Sequence, residues 1–493
     1  MKVKKVFYAF QFAALTLALA SAEAQATHSL MGMSSRSPKA RAAFEDGLAK
    51  VETLHVQAGL ESWRKATHED PNSALPHILL AYFSPDPTEQ VAEREKALAA
   101  HKIAGSEEQL IVEWLANASQ SRWVPAIQAM NGALAQHKQD KHLAWLAGWW
   151  LMLAQDQPAR AIPMFERAIQ LDAKFADPWN EVAYCYARTG DMDQAFQRIQ
   201  HYAELLPNEA NPQDSFAEIS RMAGRFDDAL KHYRMSLKID PTFLESQLGL
   251  GDTYALMGDQ PRARAEYEIA IQKGTKVQAV LWSLQSAATY VREGKLSAAD
   301  AAFRAVAQLA HNADFANLEA EAYRSMALYA TDSDAAFEAL RKAEDAVKNN
   351  HKIPQALVDL ELSSVLRARV DRAIRDGRIE VARQTLAQLE QMAAASPDEN
   401  VQHAHHAAAG LMLMAQGKYT EAVSSLEDDE RNPLSMAALA VAYEKSGATE
   451  KAHRMAARLS NLNEPTIEQA VVVPAFRRSP VAYEAAPMRD EWF

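Results

Sequence analysis

Apolar and small residues recur along this chain at the three- and four-residue spacing of an amphipathic helix. In the segment 176–209, four of them mark one face of a first helix: Trp179, Val182, Ala183 and Tyr186. Gly190 interrupts that face, and a second face runs on to Pro207, because proline cannot continue a helix. The segment predicts two short antiparallel helices, each with an apolar stripe that a neighbour must cover.

The same pattern returns every 34 residues between Leu143 and Lys276. Four alanines hold one position of the repeat: Ala161, Ala195, Ala229 and Ala263. Larger residues hold a second position: Phe165, Ile199, Tyr233 and Tyr267. Glycines hold the turn: Gly190, Gly224 and Gly258. A fixed step of this length predicts a stack of similar helix pairs, in which each pair buries the apolar stripe of the one before it.

This register resembles the tetratricopeptide repeat (TPR) family, whose unit is a helix pair of 34 residues. The resemblance covers four contiguous repeats: 142–175, 176–209, 210–243 and 244–277. A fifth, 280–313, follows a short insertion, and Trp149 departs from the pattern because the family has a small residue there. The resemblance implies an all-α fold, an α-solenoid of antiparallel helix pairs that forms a right-handed superhelix.

Outside this regular array of 142–313, the helical pattern is looser. We expect degenerate TPR-like repeats on both sides of it, at 40–141 and 314–462. Residues 27–39 are polar and rich in serine, so we expect a disordered linker there. The last stretch, 463–493, contains the run VVVPAFRR, whose β-branched residues and proline predict an extended tail.

The first residues have the composition of a secretory leader. Three lysines precede the apolar stretch 6–20, and alanines at 22, 24 and 26 provide small-residue cleavage sites. We therefore expect 1–26 to be a cleavable signal peptide that sends the protein to a bacterial periplasm or out of the cell. An uncleaved membrane anchor is the alternative. Beyond the leader, no apolar run is long enough to cross a bilayer.

Composition narrows the possible functions. The single cysteine excludes a disulfide framework. The formal net charge of −12, with no basic face, argues against nucleic acid as a partner. The chain lacks a phosphate-binding loop, a nucleophile motif and the usual metal-ligand spacings, so we expect no catalytic residue, no metal and no cofactor.

In the TPR family the first helix of each pair lines a concave groove. The resemblance places thirteen residues of this chain there: Trp150, Asp177, Asn180, Tyr184, Arg188, Asn211, Asp214, Glu218, Arg221, Glu245, Leu248, Asp252 and Arg292. Leu281 and Leu284 belong to the same surface. Mixed polar groups with an aromatic cluster suit an extended peptide or a partner's helix.

The resemblance implies a scaffold that binds a protein or peptide and does no chemistry of its own, and the leader predicts that this scaffold is exported. Because acids outnumber bases in the groove, we expect a ligand with Lys or Arg and an apolar anchor near Tyr184. The tail from Val471 to Arg478 is a rival occupant of the same groove. Two alternatives stay open: an enzyme with its active site in 314–462, and a structural adaptor of an envelope complex. The oligomeric state is unknown.

Overall fold

A computed structural model describes residues 31–478, with the exception of Gly32, Leu54 and Asn349. The expected signal peptide lies outside the described residues. Within them the chain forms 25 α-helices, and this part of the chain contains no β-strand. It also contains no helix that is both long and apolar enough to cross a membrane.

Twelve consecutive helix pairs and one further helix follow one another along the chain. The first three pairs are α1 (Pro38–Val51) with α2 (Val56–Glu69), α3 (Ala74–Phe83) with α4 (Pro87–Ala100), and α5 (Ser106–Ala118) with α6 (Trp123–Gln136). The next five pairs are α7 (Lys141–Trp149) with α8 (Pro158–Leu171), α9 (Asp177–Arg188) with α10 (Met192–Leu205), α11 (Asn211–Met222) with α12 (Phe226–Ile239), α13 (Leu244–Met257) with α14 (Gln260–Lys273), and α15 (Lys276–Arg292) with α16 (Leu296–Asn312).

The last four pairs are α17 (Ala316–Tyr329) with α18 (Ser333–Val347), α19 (Gln355–Arg375) with α20 (Ile379–Ala395), α21 (Glu399–Ala415) with α22 (Tyr419–Leu426), and α23 (Pro433–Lys445) with α24 (Thr449–Ser460). The further helix is α25 (Ile467–Arg478). The structure confirms the predicted fold class, a solenoid of antiparallel helix pairs.

The repeated residues have the packing roles that their spacing predicts. Each of the four alanines at the first repeat position is fully buried, and the larger residues at the second position are at most 2% exposed. Gly190, Gly224 and Gly258 end their helices with φ between 74° and 93°, a left-handed conformation that side chains disfavour. The buried alanines and larger residues therefore join the helices of a pair, and the glycines turn the chain between them.

The prediction of a disordered linker at 27–39 is wrong for the residues of that segment that the structure describes. Met31 is fully buried, and the backbone N–H of Ser34 donates to Glu108 at 3.0 Å. Ser37 then caps α1 by accepting a hydrogen bond from the backbone of Ala40. The serines of this segment make specific contacts with helices of the N-terminal repeats.

The expected extended tail is also wrong over Ile467–Arg478, which forms α25 with Pro474 inside it. Ile467 and Ala470 join the apolar core of α15 to α19, whereas Val472 and Val473 join the core of α21 to α24. Burial on two sides outweighs the local preference of these β-branched residues for strands.

Trp149, the departure from the family pattern, lies just before a change in helix geometry. Helix α7 continues into a π-turn, Trp150–Ala154, which places an extra residue in the helical turn. The indole N–H of Trp149 donates to Asp177 of the next pair at 3.1 Å. The neighbouring repeat thus accommodates a bulky residue at a position where the family has a small one.

The C-terminal pairs return to the middle of the array. The side-chain amide of Asn400 donates to the carbonyl of Ala154 at 3.1 Å, and Arg431 lies 2.6 Å from a carboxylate oxygen of Asp156. The backbone N–H of Ala356 donates to Ser119 at 3.3 Å. These contacts close the C-terminal half of the solenoid onto its middle, so the two parts are not independent.

Candidate functional site

The first helices of five consecutive pairs form a continuous surface, which we call the inner wall: α9, α11, α13, α15 and α17. Side chains join each helix to the next. The hydroxyl of Tyr184 donates to Glu218 at 2.9 Å, and the amide of Gln278 donates to Glu245 at 3.4 Å. The wall is therefore a single surface with three zones that differ in what covers them.

The first zone is the interior of the wall, and six of the expected groove residues lie in it: Asp177, Asn180, Asn211, Asp214, Arg221 and Asp252. None of them is more than 7% exposed. A partner on the surface cannot reach them directly. Close packing is the reason, because a Cβ built at Gly249 would lie 2.2 Å from the ring of Tyr233.

Hydrogen bonds within the chain hold these buried acids. Asp177 accepts from the indoles of Trp145 and Trp149, and Asp214 accepts from Ser246 at 2.6 Å. Burial raises the pKa of Asp177 to about 7 and that of Asp214 to about 8. These carboxyl groups act as structural hydrogen-bond partners between neighbouring repeats.

Trp150 lies outside the wall, so its expected place in the groove is wrong. It is only 2% exposed, and its ring packs on Trp114 at 5.6 Å and on Trp123 at 6.0 Å between centroids. The π-turn that begins at Trp150 carries the ring into this aromatic cluster rather than towards the partner surface.

The second zone is the carboxyl-terminal ends of the inner-wall helices, which the chain itself covers. We call residues 461–478 the closing segment. Asn463 donates to the carbonyl of Met222 at 3.4 Å, and Arg477 donates to the carbonyl of Leu256 at 3.5 Å. Arg292, an expected groove residue, donates to Gln469 and to the carbonyl of Thr466.

Two further contacts extend this covered zone. Arg324 of α17 donates to Glu468 at 3.1 Å, and Arg188 of α9 pairs with Asp156. Asp156 also binds Arg431, so the expected groove residue Arg188 belongs to the contact that closes the solenoid. Arg188 and Arg292 bind their own chain, and a partner would have to displace it to reach them.

The third zone stays accessible, and we call it the open strip: Tyr184, Glu218, Glu245, Leu248 and Leu281. Glu245 is exposed, the side chain of Glu218 is 37% exposed, and Leu281 is 38% exposed. Tyr184 and Leu248 are half-buried beside them. The strip combines two carboxylates with an aromatic ring and two leucines.

The sequence analysis did not identify two residues that shape this site, Gln278 and Asp156. Gln278 orients Glu245 and also completes the capping box of Thr275 at the start of α15. Asp156 adopts φ of 51° and binds Arg188 of the next pair and Arg431 of a distant one. The capping box is visible in the sequence as Thr and Gln three residues apart, whereas the role of Asp156 depends on how the solenoid closes.

Three histidines, His403, His405 and His406, lie close together on α21. His403 lies 3.5 Å from Glu399, and His406 lies 2.8 Å from Asp428. Within the described part of the chain, no group of three His, Cys, Asp or Glu side chains is arranged to hold a metal ion.

Comparison with known proteins gives one match to a family model and several matches to individual proteins. Residues 152–215 match a family model described as "Tetratricopeptide repeat". Superkiller complex protein 3 of Mus musculus is 24% identical over 115 residues, 23% of this chain and 7% of that protein. The Homo sapiens protein of the same name is 23% identical over 242 residues, 44% of this chain and 16% of that protein. The chain thus spans less than a fifth of either relative.

The solved structures that resemble the chain include the APC/C hetero-tetramer Cut9–Hcn1. It has a TM-score of 0.40 and 13% identity, and the match covers 90% of this chain and 81% of that one. The family match lies across the repeats where the register is strict, and the helices around it have the form of that family's unit. Residues 152–215 thus match the tetratricopeptide-repeat family, and the other described helix pairs have a similar form. Such repeats typically form scaffolds for protein–protein interaction.

Proposed function

We propose that this protein is an exported, non-catalytic scaffold that binds a protein or peptide partner along the open strip. One observation carries the proposal. The strip is the zone of the inner wall where acidic and apolar side chains meet solvent, since the chain itself fills the interior and covers the carboxyl-terminal ends.

The chemistry of the strip indicates the kind of segment that fits. Glu218 already binds Tyr184 and Arg221, whereas Glu245 contacts the neutral amide of Gln278 at 3.4 Å. Glu245 is therefore the carboxylate with most to gain from a cation. Leu248 and Leu281 offer apolar contact on the adjoining helices α13 and α15. A segment with Lys or Arg next to an apolar side chain matches this arrangement.

Site-specific crosslinking tests the proposal. A photoreactive amino acid replaces Leu281 on the strip or, as the matched control, Ile269, which is 40% exposed on the second helix α14. We expect a defined partner band from position 281 in envelope extract and none from position 269. Equal capture at both positions contradicts binding on the strip.

Charge reversal supplies the second arm of the test. Glu218→Lys with Glu245→Lys should abolish the band from position 281 without loss of helicity. The control pair, Glu338→Lys with Glu380→Lys, makes the same change in net charge on α18 and α20, where both side chains are at least 50% exposed. If the control pair loses the band as well, net charge rather than the strip attracts the partner.

The export part of the proposal rests on the leader, which lies outside the described residues. We expect the mature protein to begin between residues 23 and 27. Sequencing the amino terminus of protein from the envelope fraction checks this. An intact Met1 in the membrane pellet would indicate the retained anchor instead.

A further inference from the structure

A cavity of about 620 Å³ lies where the closing segment meets the ends of three first helices. Its walls come from α15, α16, α17, α19 and α25. The residues used below are Arg292, Leu296, Leu328, Arg372, Arg375 and Pro474. Gly294 and Thr331 at its rim are exposed, so the cavity is open to solvent. It is separate from the open strip and has the size of a small-molecule site.

We infer that this cavity binds a small monoanionic carboxylate with an aliphatic body. The inference goes beyond the proposed function, because it concerns a different surface and a different class of ligand. Three observations support it: the balance of charge in the lining, a buried donor without a partner, and the apolar remainder of the wall.

The charges of the lining do not cancel. It carries three arginines and two acids, Glu293 and Asp376. Asp376 pairs with Arg372 at 2.7 Å, while Glu293 pairs with Arg264, which lies outside the lining, at 2.9 Å. Arg375 pairs with Asp371, also outside the lining, at 2.7 Å.

Arg292 is the remaining cation. Its hydrogen bonds go to neutral acceptors, the side chain of Gln469 and the carbonyl of Thr466. Burial lowers the pKa of Arg292 to about 10, although nearby Tyr267 and Asp252 act in the opposite direction, and Asp252 is itself paired with Arg221. One excess positive charge matches a singly charged carboxylate better than a doubly charged phosphate.

Arg375 provides a donor for such a group. Its Nε is buried and has no hydrogen-bond partner within the described residues, although its Nη2 binds Asp371. A carboxylate oxygen reaches this N–H once the Arg375 side chain turns towards the cavity, and charge-assisted hydrogen bonds of this kind are short and strong.

The rest of the wall is suited to an aliphatic body. Leu296, Leu328, Val471 and Pro474 present apolar surface from α16, α17 and α25. Because α25 forms part of the wall, a bound ligand would touch both the array and the closing segment. Binding should therefore stabilise the closed solenoid by mass action.

Hexanoate is the probe, and the full chain is titrated while thermal unfolding and binding heat are measured. We expect a saturable rise in the unfolding midpoint with hexanoate. Hexylamine, the matched cation of similar length, and inorganic phosphate should give none. If hexanoate produces no saturable change, or phosphate binds as tightly as hexanoate, the assignment is wrong.

Two variants test the residues. Arg375→Gln should weaken hexanoate binding about tenfold or more, whereas Arg383→Gln, which alters an exposed arginine on α20, should bind as the parent does. Leu296→Glu places a carboxylate in the lining and should abolish binding by repulsion. Circular dichroism of each variant confirms folding. Parent-like binding by both lining variants overturns the inference, and loss of partner crosslinking at position 281 has no bearing on it.

Discussion

Asp214 lies inside the inner wall between α11 and α13, where its carboxyl group accepts a hydrogen bond from Ser246. Burial raises its pKa to about 8, above its ordinary value of 3.8. The folded state therefore binds this proton more tightly than the unfolded state does. The resulting stabilisation is fully present below pH 3.8 and is lost as the pH rises through about 8.

Replacing Asp214 by Asn should therefore flatten the dependence of stability on pH. Urea unfolding of the parent protein at several pH values between 5 and 8 should show stability falling with pH, with at most about 1.4 kcal/mol per pH unit due to this one group. Asp214→Asn should fall less steeply. Asp193→Asn, on the exposed face of α10, is the control and should keep the parent slope. If stability falls with pH as steeply in Asp214→Asn as in the parent, the Asp214 carboxyl group does not hold a proton in the folded state.

For single residues, the sequence predicted which apolar side chains pack in the core. It did not predict which polar groove residues are buried. The alanine and aromatic positions were identifiable because a step of 34 residues repeats them. The burial of Asp177 and Asp252 was not, because it depends on how closely neighbouring first helices approach. A polar residue at a groove position has the same sequence signature whether it meets solvent or, like Asp252, accepts from Tyr267 at 2.7 Å.

Helix α25 is the element that sequence patterns described least well. Its run VVVPAFRR favours extended structure locally, yet its apolar residues are buried in two separate cores. The helix pairs of the regular array were easier to predict, because their small, large and turn positions recur at a fixed step. Only the contacts between α25 and distant repeats make it a helix, and no local pattern encodes them.

Ending the chain at Leu462 should lower its stability because α25 is part of the core. Ile467, Val472 and Val473 are each at most 9% exposed, and full burial of such a side chain contributes about 1.5–3 kcal/mol. We expect a loss of at least about 3 kcal/mol in chemical unfolding. A chain ending at Arg478 is the matched control. If the chains ending at Leu462 and at Arg478 are equally stable, α25 contributes nothing measurable to the stability of the fold.

The closed form of the whole molecule depends on a few ionic contacts. Asp156 binds Arg188 within the array and Arg431 from the C-terminal pairs, and Asn400 contacts the same turn. Closure of this kind is not implied by the repeat pattern, which specifies only how each pair meets its neighbours. The sequence therefore predicted the solenoid but not that its C-terminal pairs contact its middle.

Reversing the charge of Arg431 should open the closed form. Arg431→Glu places a carboxylate against Asp156, and we expect a larger radius of gyration in small-angle X-ray scattering with a stability loss of about 1 kcal/mol. Arg458→Glu disrupts a pair with Glu430 inside the C-terminal repeats and is the control. The same radius of gyration for parent and Arg431→Glu would show that other contacts are enough for closure.

The closure also has a consequence for the order in which the protein is made. Arg431 and Asp156 are separated by 275 positions, and α25 is synthesised after all twelve helix pairs. Domains fold from the amino terminus as the ribosome releases them, so the regular repeats are complete while the closing segment is still missing. During that interval Arg292 and the helix ends that the closing segment later contacts lack this cover. The nascent chain thus exposes a surface that the finished protein conceals.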